Sequence, residues 1–411
     1  MKIMEENIGT IFILGHFKFY LENAESQLVL ENGKLLRECG YRVVYFASSD
    51  RKDTSKYIVK TKYLIDNFDI YEVKFQKKIN DFWSIPDIHK QLIEIIQNYN
   101  NPKALIFYGT PTIAWQIYKL QKWAKKSNVN LIANCADLSA LSHGSAAQRI
   151  MKFIDMNWRY YLFKYKMDGI IAVSTYIANY YESGKKKKIV IIPPLRDIEH
   201  IDPPVEARGN LKLVYAGIPF PIDGRKVDES SYKDRLDILI ELLLDIKEEC
   251  KPFELHLFGL TKEAYLRVIP KHKELLDKHE DIFIFHGRVA HRDVLEAEKT
   301  ADYSINIRVK NRMTMAGFSS KVVESVSCGL PVLLTDTSDY KMYIKEGVNG
   351  FFLSEGEQQI SKEKLKIALN MDRSKVNLMK RECYNSKIFD YHRYKKIMQD
   401  FMQEVLERDR L

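Results

Sequence analysis

Short apolar runs alternate along this chain with stretches in which apolar residues recur at helical spacing. Residues 10–14 read as a buried strand, 24–39 as an amphipathic helix stopped at Gly40, and 42–46 as the next strand, a β-α-β opening. Strands are predicted again at 104–108, 131–134, 169–173 and 189–192, with helices over 112–125 and 147–166. Strands that are apolar throughout, rather than alternating, fit a parallel sheet covered on both faces. The pattern breaks at 193–210, PPLRDIEHIDPPVEARGN, where prolines and charges displace regular spacing, and then restarts with strands at 211–216, 254–258, 282–286, 303–307 and 332–335.

Two doubly wound α/β domains follow from this alternation. The length of 411 residues is too great for one ordinary core. The predicted division is a first domain over 1–195, a linker over 196–210, a second domain over 211–388 and a terminal amphipathic helix over 389–411. No short-period repeat interrupts it.

Segment 317–334, GFSSKVVESVSCGLPVLL, carries the most chemistry. A polar loop at Ser319, Ser320 and Lys321 leads into a short helix whose first N–H groups suit an anion. Cys328, Gly329, Leu330 and Pro331 stop that helix before a buried strand. Glu324 lies about one turn in. There it serves either as a bidentate acceptor for two ribose hydroxyls or as a carboxylate in the favourable helix-dipole position.

The second half resembles the nucleotide-binding domain of retaining glycosyltransferases of the GT-B fold, family 4 in particular. The resemblance rests on LVYAGIPFP (213–221), ELHLFG (254–259), IFIFHGRV (282–289) and SKVVESVSCGLPVLLTD (320–336), in that order. EGVNGFFL (346–353) is similar to a small hairpin that follows the signature segment. MDGIIAVSTYIANYY (167–181) and IVIIPP (189–194) resemble the last strands of the acceptor domain. The resemblance implies an α/β GT-B architecture: two Rossmann-like domains facing across a cleft, and a C-terminal helix crossing back to the first.

It also implies roles. Glu324 would hold the donor ribose, Gly287 and Arg288 would frame the base, Gly217 and Gly259 would form glycine loops, and the diphosphate would lie over Ser319, Ser320 and Lys321. A basic pair stabilises the leaving nucleoside diphosphate in such enzymes. Arg225 and Lys226 are the candidates, with Lys233 as the alternative; GRK also reads as a solvated turn. A second glutamate usual in the family, eight residues before the ribose ligand, is replaced here by Ala316, which obscures sugar selection. On the first domain Gly15 and His16 end the first strand, and Asn23-Ala24 stands where the family often has two glycines.

Asp137 and His143, in NCADLSALSHGS (134–145), are the candidates for base or acceptor positioning, a helix cap and an ordinary loop histidine being the structural alternatives. No covalent nucleophile is assigned. No metal ligands are expected, since Asp-x-Asp and histidine ligand spacings are missing. The expected substrates are a UDP- or GDP-linked sugar and a glycan or lipid-linked glycan acceptor, with no further cofactor.

The net charge of +9 fits anionic partners, and no nucleic-acid module accompanies it. The basic, aromatic stretch 149–166, RIMKFIDMNWRYYLFKYK, either lies on an anionic membrane or packs its aromatics inward with Lys and Arg snorkelling out. Five scattered cysteines and an N-terminus without a signal-like run fit a cytoplasmic protein, peripheral at the inner membrane face. The readings carried forward are a transferase in surface polysaccharide assembly, a GT-B-like subunit that binds without turnover, and, more weakly, a sugar-nucleotide epimerase.

Overall fold

The computed structural model describes residues 8–19, 24–49, 58–61, 65–74, 88–108, 114–138, 146–183, 187–206, 208–222, 229 and 232–407. The described residues form two compact units. The first holds those up to Leu195, Ala316–Phe318 and those from Tyr391 on; the second holds Arg196–Met315 and Ser319–Asp390.

The first unit is an eight-stranded sheet in the order β3-β4-β2-β1-β5-β6-β7-β8. Its strands are β1 (Gly9–Gly15), β2 (Tyr41–Ser48), β3 (Ile58–Lys60), β4 (Asp69–Val73), β5 (Pro102–Tyr108), β6 (Asn130–Cys135), β7 (Gly169–Ala172) and β8 (Lys188–Ile191). Every pairing is parallel except that of β3 with β4. β1 is buried along its whole length, as its unbroken apolar run requires. β3, β4 and helix Ile88–Gln97 escape the hydropathy pattern, because the two strands are short and half-exposed at a sheet edge.

Helix Lys395–Leu406 completes this unit. Met398, Met402 and Val405 are fully buried against β8 and helix Ala24–Glu38. Gly169 permits that approach, since a Cβ there would come within 2.8 Å of Phe401 and Val405. Lys188 and Glu404 pair at 2.8 Å across the same contact.

The second unit is a six-stranded, all-parallel sheet in the order β11-β10-β9-β12-β13-β14. Its strands are β9 (Leu211–Ala216), β10 (Phe253–Phe258), β11 (Phe283–Gly287), β12 (Tyr303–Asn306), β13 (Val332–Thr335) and β14 (Gly350–Leu353). Leu213, Leu255 and Leu257 from the sheet pack with Ile240 and Leu243 of helix Leu236–Ile246 in one core. Each buried side chain of this size stabilises the fold by about 1.5–3 kcal/mol.

The hairpin expected at 346–353 is corrected. Gly350–Leu353 is a sixth strand, parallel to β13. The Glu346–Gly350 turn leads into it, and burial of Phe351 and Leu353 fixes it on the sheet. Segment 196–206 is likewise more than a spacer. Arg196 N–H donates to the Phe389 carbonyl, Ile198–His200 makes a 3-10 turn, and the Lys380 amine donates to the carbonyls of Val205, Lys299 and Ala301.

Candidate functional site

In parallel sheets, ligands bind beyond the carboxyl ends of the strands. At that edge of the second unit lie Gly217, Gly259 and Gly287, which follow β9, follow β10 and end β11. All three have positive φ, at 144°, 103° and 68°. They form a hydrogen-bonded row: Gly217 N–H donates to the Phe258 carbonyl at 2.8 Å, and Gly259 N–H to the Gly287 carbonyl at 2.7 Å. A Cβ on Gly259 would come within 2.7 Å of the Gly217 carbonyl oxygen, and one on Gly217 within 2.2 Å of the Lys321 amine. Only glycine satisfies both the dihedral and the space. Arg288, beyond β11, is exposed.

Helix Ser320–Ser327 starts beside this row. Ser319 is its buried N-cap residue, and its N–H donates to the Tyr340 hydroxyl at 3.3 Å. Val322, Val323 and Val326 bury one face, while Ser320, Lys321 and Glu324 remain partly accessible. Gly329 has φ +77° and lies against Pro204, so the Gly-Leu-Pro turn ends the helix as its sequence predicts.

Lys321 is committed within the protein. Its amine is 2.7 Å from an Asp234 carboxylate oxygen and 3.3 Å from the Tyr215 hydroxyl. Tyr215 donates to the same carboxylate at 2.7 Å, and Arg308 Nε donates to its other oxygen at 2.8 Å. Burial alone would raise the Asp234 carboxyl, but Lys321 and Arg308 outweigh burial and hold it below the usual carboxylate range. Burial brings the Lys321 amine down to about 8 against the pull of Asp234. Lys233 is exposed by area, yet desolvation of its amine, followed by the Arg308 charge, lowers its pKa.

Glu324 has two partners. Arg196 is ion-paired with its carboxylate, and His291 Nε2 lies 3.4 Å from the same oxygen. Below the helix, buried Glu298 accepts a hydrogen bond from Ser325 at 2.8 Å; desolvation raises its carboxyl to about 7.

In the first unit, Gly15 ends β1 against Tyr108 of β5, and a Cβ on it would come within 2.6 Å of the Tyr108 carbonyl oxygen. His16 is half-buried just beyond. Ala24 opens its helix, and Asn23 lies outside the described residues. Asp137 is exposed just beyond the end of β6. Its neighbour is Glu25, whose carboxyl is raised to about 7 by burial first and by Asp137 second, against Lys18. Glu25, Tyr108 and Asp137 thus converge at the carboxyl ends of β1, β5 and β6. His143, Arg225 and Lys226 also lie outside the described residues.

Sequence reasoning missed Arg196, Asp234, His291, Glu298, Arg308 and Glu25. Position offered one signal: Arg308 lies two residues after β12, at the strand end where ligands gather. Asp234 and Glu298 had no signal, because both are embedded in charged sequence that reads as solvated surface.

The fold is the GT-B architecture of two parallel-sheet α/β units. Residues 226–384 match the family described as glycosyl transferases group 1. No curated protein matches the chain. Among solved structures, sucrose-phosphate synthase from Thermosynechococcus elongatus aligns with TM-score 0.66 and 12% identity, over 97% of this chain and 99% of that one. A glycosyltransferase from Rickettsia africae aligns with TM-score 0.66 and 15% identity, over 98% and 100%. Anabaena HepE in complex with UDP aligns with TM-score 0.63 and 14% identity, over 96% and 100%. At these identities the likeness establishes the fold.

Proposed function

We propose that the chain is a retaining glycosyltransferase that moves a sugar from a UDP- or GDP-linked donor to a glycan or lipid-linked glycan acceptor. Its setting would be surface polysaccharide assembly at the cytoplasmic face of a membrane. The observation that carries this reading is the placement of Glu324, one turn into a helix that starts beside the glycine row at the carboxyl edge of the second sheet. In this reading Glu324 accepts the ribose hydroxyls, Gly287 and Arg288 frame the base, and Ser319 and Ser320 receive the diphosphate.

In the reaction, the bond from the anomeric carbon to the phosphate oxygen breaks, and the acceptor oxygen takes its place on the same face of the sugar. The acceptor proton goes to a base, the role proposed for Asp137, with His143 as the other candidate. Charge on the departing nucleoside diphosphate is met by cations, Lys233 with Arg225 and Lys226, and no metal is invoked. Lys321 acts from behind, with Asp234 and Arg308 fixing the start of the helix.

Ala316 favours a second reading, a subunit that binds without turnover, because it is fully buried where the family carries a sugar-contacting glutamate. Donor hydrolysis without acceptor separates the two. The test of the donor reading is a thermal-shift panel of UDP, GDP, ADP and their sugars. A ligand at about 100 times its Kd adds about 2.7 kcal/mol. One nucleoside diphosphate is expected to shift the wild type and to lose most of that shift in Glu324→Ala; an undiminished shift in the variant removes the ribose assignment.

A further inference from the structure

Helix Ala146–Lys166 turns an apolar side outward. Ile150, Phe153, Ile154, Tyr161 and Tyr165 are exposed, the first three at 50% or more. At about 100° per residue they share one arc of about 120°. Met156, Leu162 and Phe163 on the other side are buried, as is Arg159. Its only acid, Asp155, is buried as well and accepts the Ala114 N–H at 3.2 Å. An ordinary surface helix has the reverse pattern, polar toward water. Some of its aromatics enter the core and the rest face out.

The packed neighbour, helix Ala114–Ser127, extends this surface. Trp115 is 42% exposed, and Trp115, Tyr118 and Trp158 form a triad with ring centroids 5.7–6.0 Å apart. Lys119 lies over the Trp115 ring at 4.4 Å and Lys122 over the Tyr118 ring at 4.8 Å. Lys125 and Lys126 continue the positive charge on this helix, which has no acid. On the longer helix Arg149 borders the apolar arc and Lys164 lies within it.

We propose that this two-helix face docks the protein onto an anionic lipid bilayer. The aliphatic and phenyl side chains enter the acyl boundary, the Trp and Tyr rings sit at headgroup depth, and the Lys and Arg ammonium and guanidinium groups reach lipid phosphates. Charge selects this occupant. A second copy of the chain would set the same cations against one another, and a nucleic acid would leave Ile150, Phe153 and Ile154 in water. Among the described residues no helix is long and apolar enough to cross a membrane, so the contact lies along the surface. The proposal is independent of the donor reading, since a chain without transferase activity would dock in the same way.

Sedimentation of the full chain with vesicles tests it, with phosphatidylcholine vesicles compared with mixed phosphatidylcholine–phosphatidylglycerol vesicles. Binding is expected only to the anionic vesicles and to fall as salt is raised. Phe153→Ser/Ile154→Ser and, separately, Lys119→Glu/Lys122→Glu/Arg149→Glu are each expected to lower the vesicle association constant at least tenfold. Unchanged melting temperatures and circular dichroism spectra would show that both variants are folded. Binding by both variants at the wild-type level overturns the proposal, because the net charge alone would then explain it. So does failure of the wild type to sediment with anionic vesicles at low salt. Dimerisation of the wild type that Phe153→Ser/Ile154→Ser abolishes, with no vesicle binding, assigns the face to a second copy instead.

Discussion

The Arg196 guanidinium is ion-paired with the Glu324 carboxylate, so the residue read as the ribose ligand is met by the cation that opens the second unit. One carboxylate oxygen takes the pair while its remaining lone pairs stay available to hydroxyls. Arg196→Ala is therefore expected to weaken nucleoside diphosphate binding about tenfold, the equivalent of one charge-assisted hydrogen bond. Titration calorimetry with UDP or GDP measures it. Tighter binding in the variant would show that Arg196 competes with the ribose rather than orienting its ligand.

Asp234 is buried between Lys321, Arg308 and Tyr215. Replacing it with Asn leaves two cations without their counter-charge and is expected to cost about 3–5 kcal/mol in urea unfolding. Asp234→Asn/Lys321→Met should recover part of that loss. Because the native carboxyl lies below its ordinary value of 3.8, its contribution is present above about pH 4 and is lost as pH falls through the depressed native value.

Glu298 has the opposite sign. Burial raises its carboxyl from 4.5 to about 7, so the folded state holds a proton that the unfolded state releases first. Its contribution is complete below about pH 4.5 and is lost as pH rises to about 7. Glu298→Gln, which keeps the Ser325 contact, should gain on the wild type by roughly 2–3 kcal/mol between pH 4.5 and pH 8. Parallel denaturation curves at the two pH values read the difference; a gap that does not widen with pH would place the ionisation elsewhere.

Gly259→Ala combines a φ of 103° with a 2.7 Å approach to the Gly217 carbonyl oxygen. A loss of about 1–3 kcal/mol is expected, together with weaker nucleotide binding as the neighbouring loop shifts. Gly209→Ala is the control: it has a similar positive φ but nothing within 4 Å, so it should lose stability and keep nucleotide affinity.

Glu25 and Asp137 test the first unit separately. With its carboxyl near 7, Glu25 ionises across neutral pH. Glu25→Gln is expected to remove an ionisation near pH 7 from the pH profile of transfer to acceptor while leaving nucleotide binding to the second unit intact. An unaltered profile assigns Glu25 a packing role.

Legibility followed burial. β13 could be read as an apolar run after Pro331, and β9, β10 and β12 as short runs whose apolar positions are interrupted by Lys212, by Glu254 and His256, and by Ser304. The resemblance implies a hairpin at 346–353, and only the pairing of β14 with β13 shows a parallel strand there. Asp234 and Glu298 are spelled within SSYKDR and VLEAEKT, charged stretches that resemble solvated surface. Their burial is a tertiary fact with no local signature. Glu324 stood out because its helix start and Gly-Leu-Pro stop are encoded within a few residues.

The glycine row bears on how far such a chain can drift. At Gly217, Gly259 and Gly287 the carboxyl edge of the sheet is held by main-chain N–H and C=O groups, which every residue of a descendant sequence inherits whatever its side chains. Substitution elsewhere can then accumulate without dissolving the edge, provided that these few positions keep their freedom to turn. A sheet edge maintained by backbone is one physical route by which chains that share 12% of their residues overlay along 97% of this one.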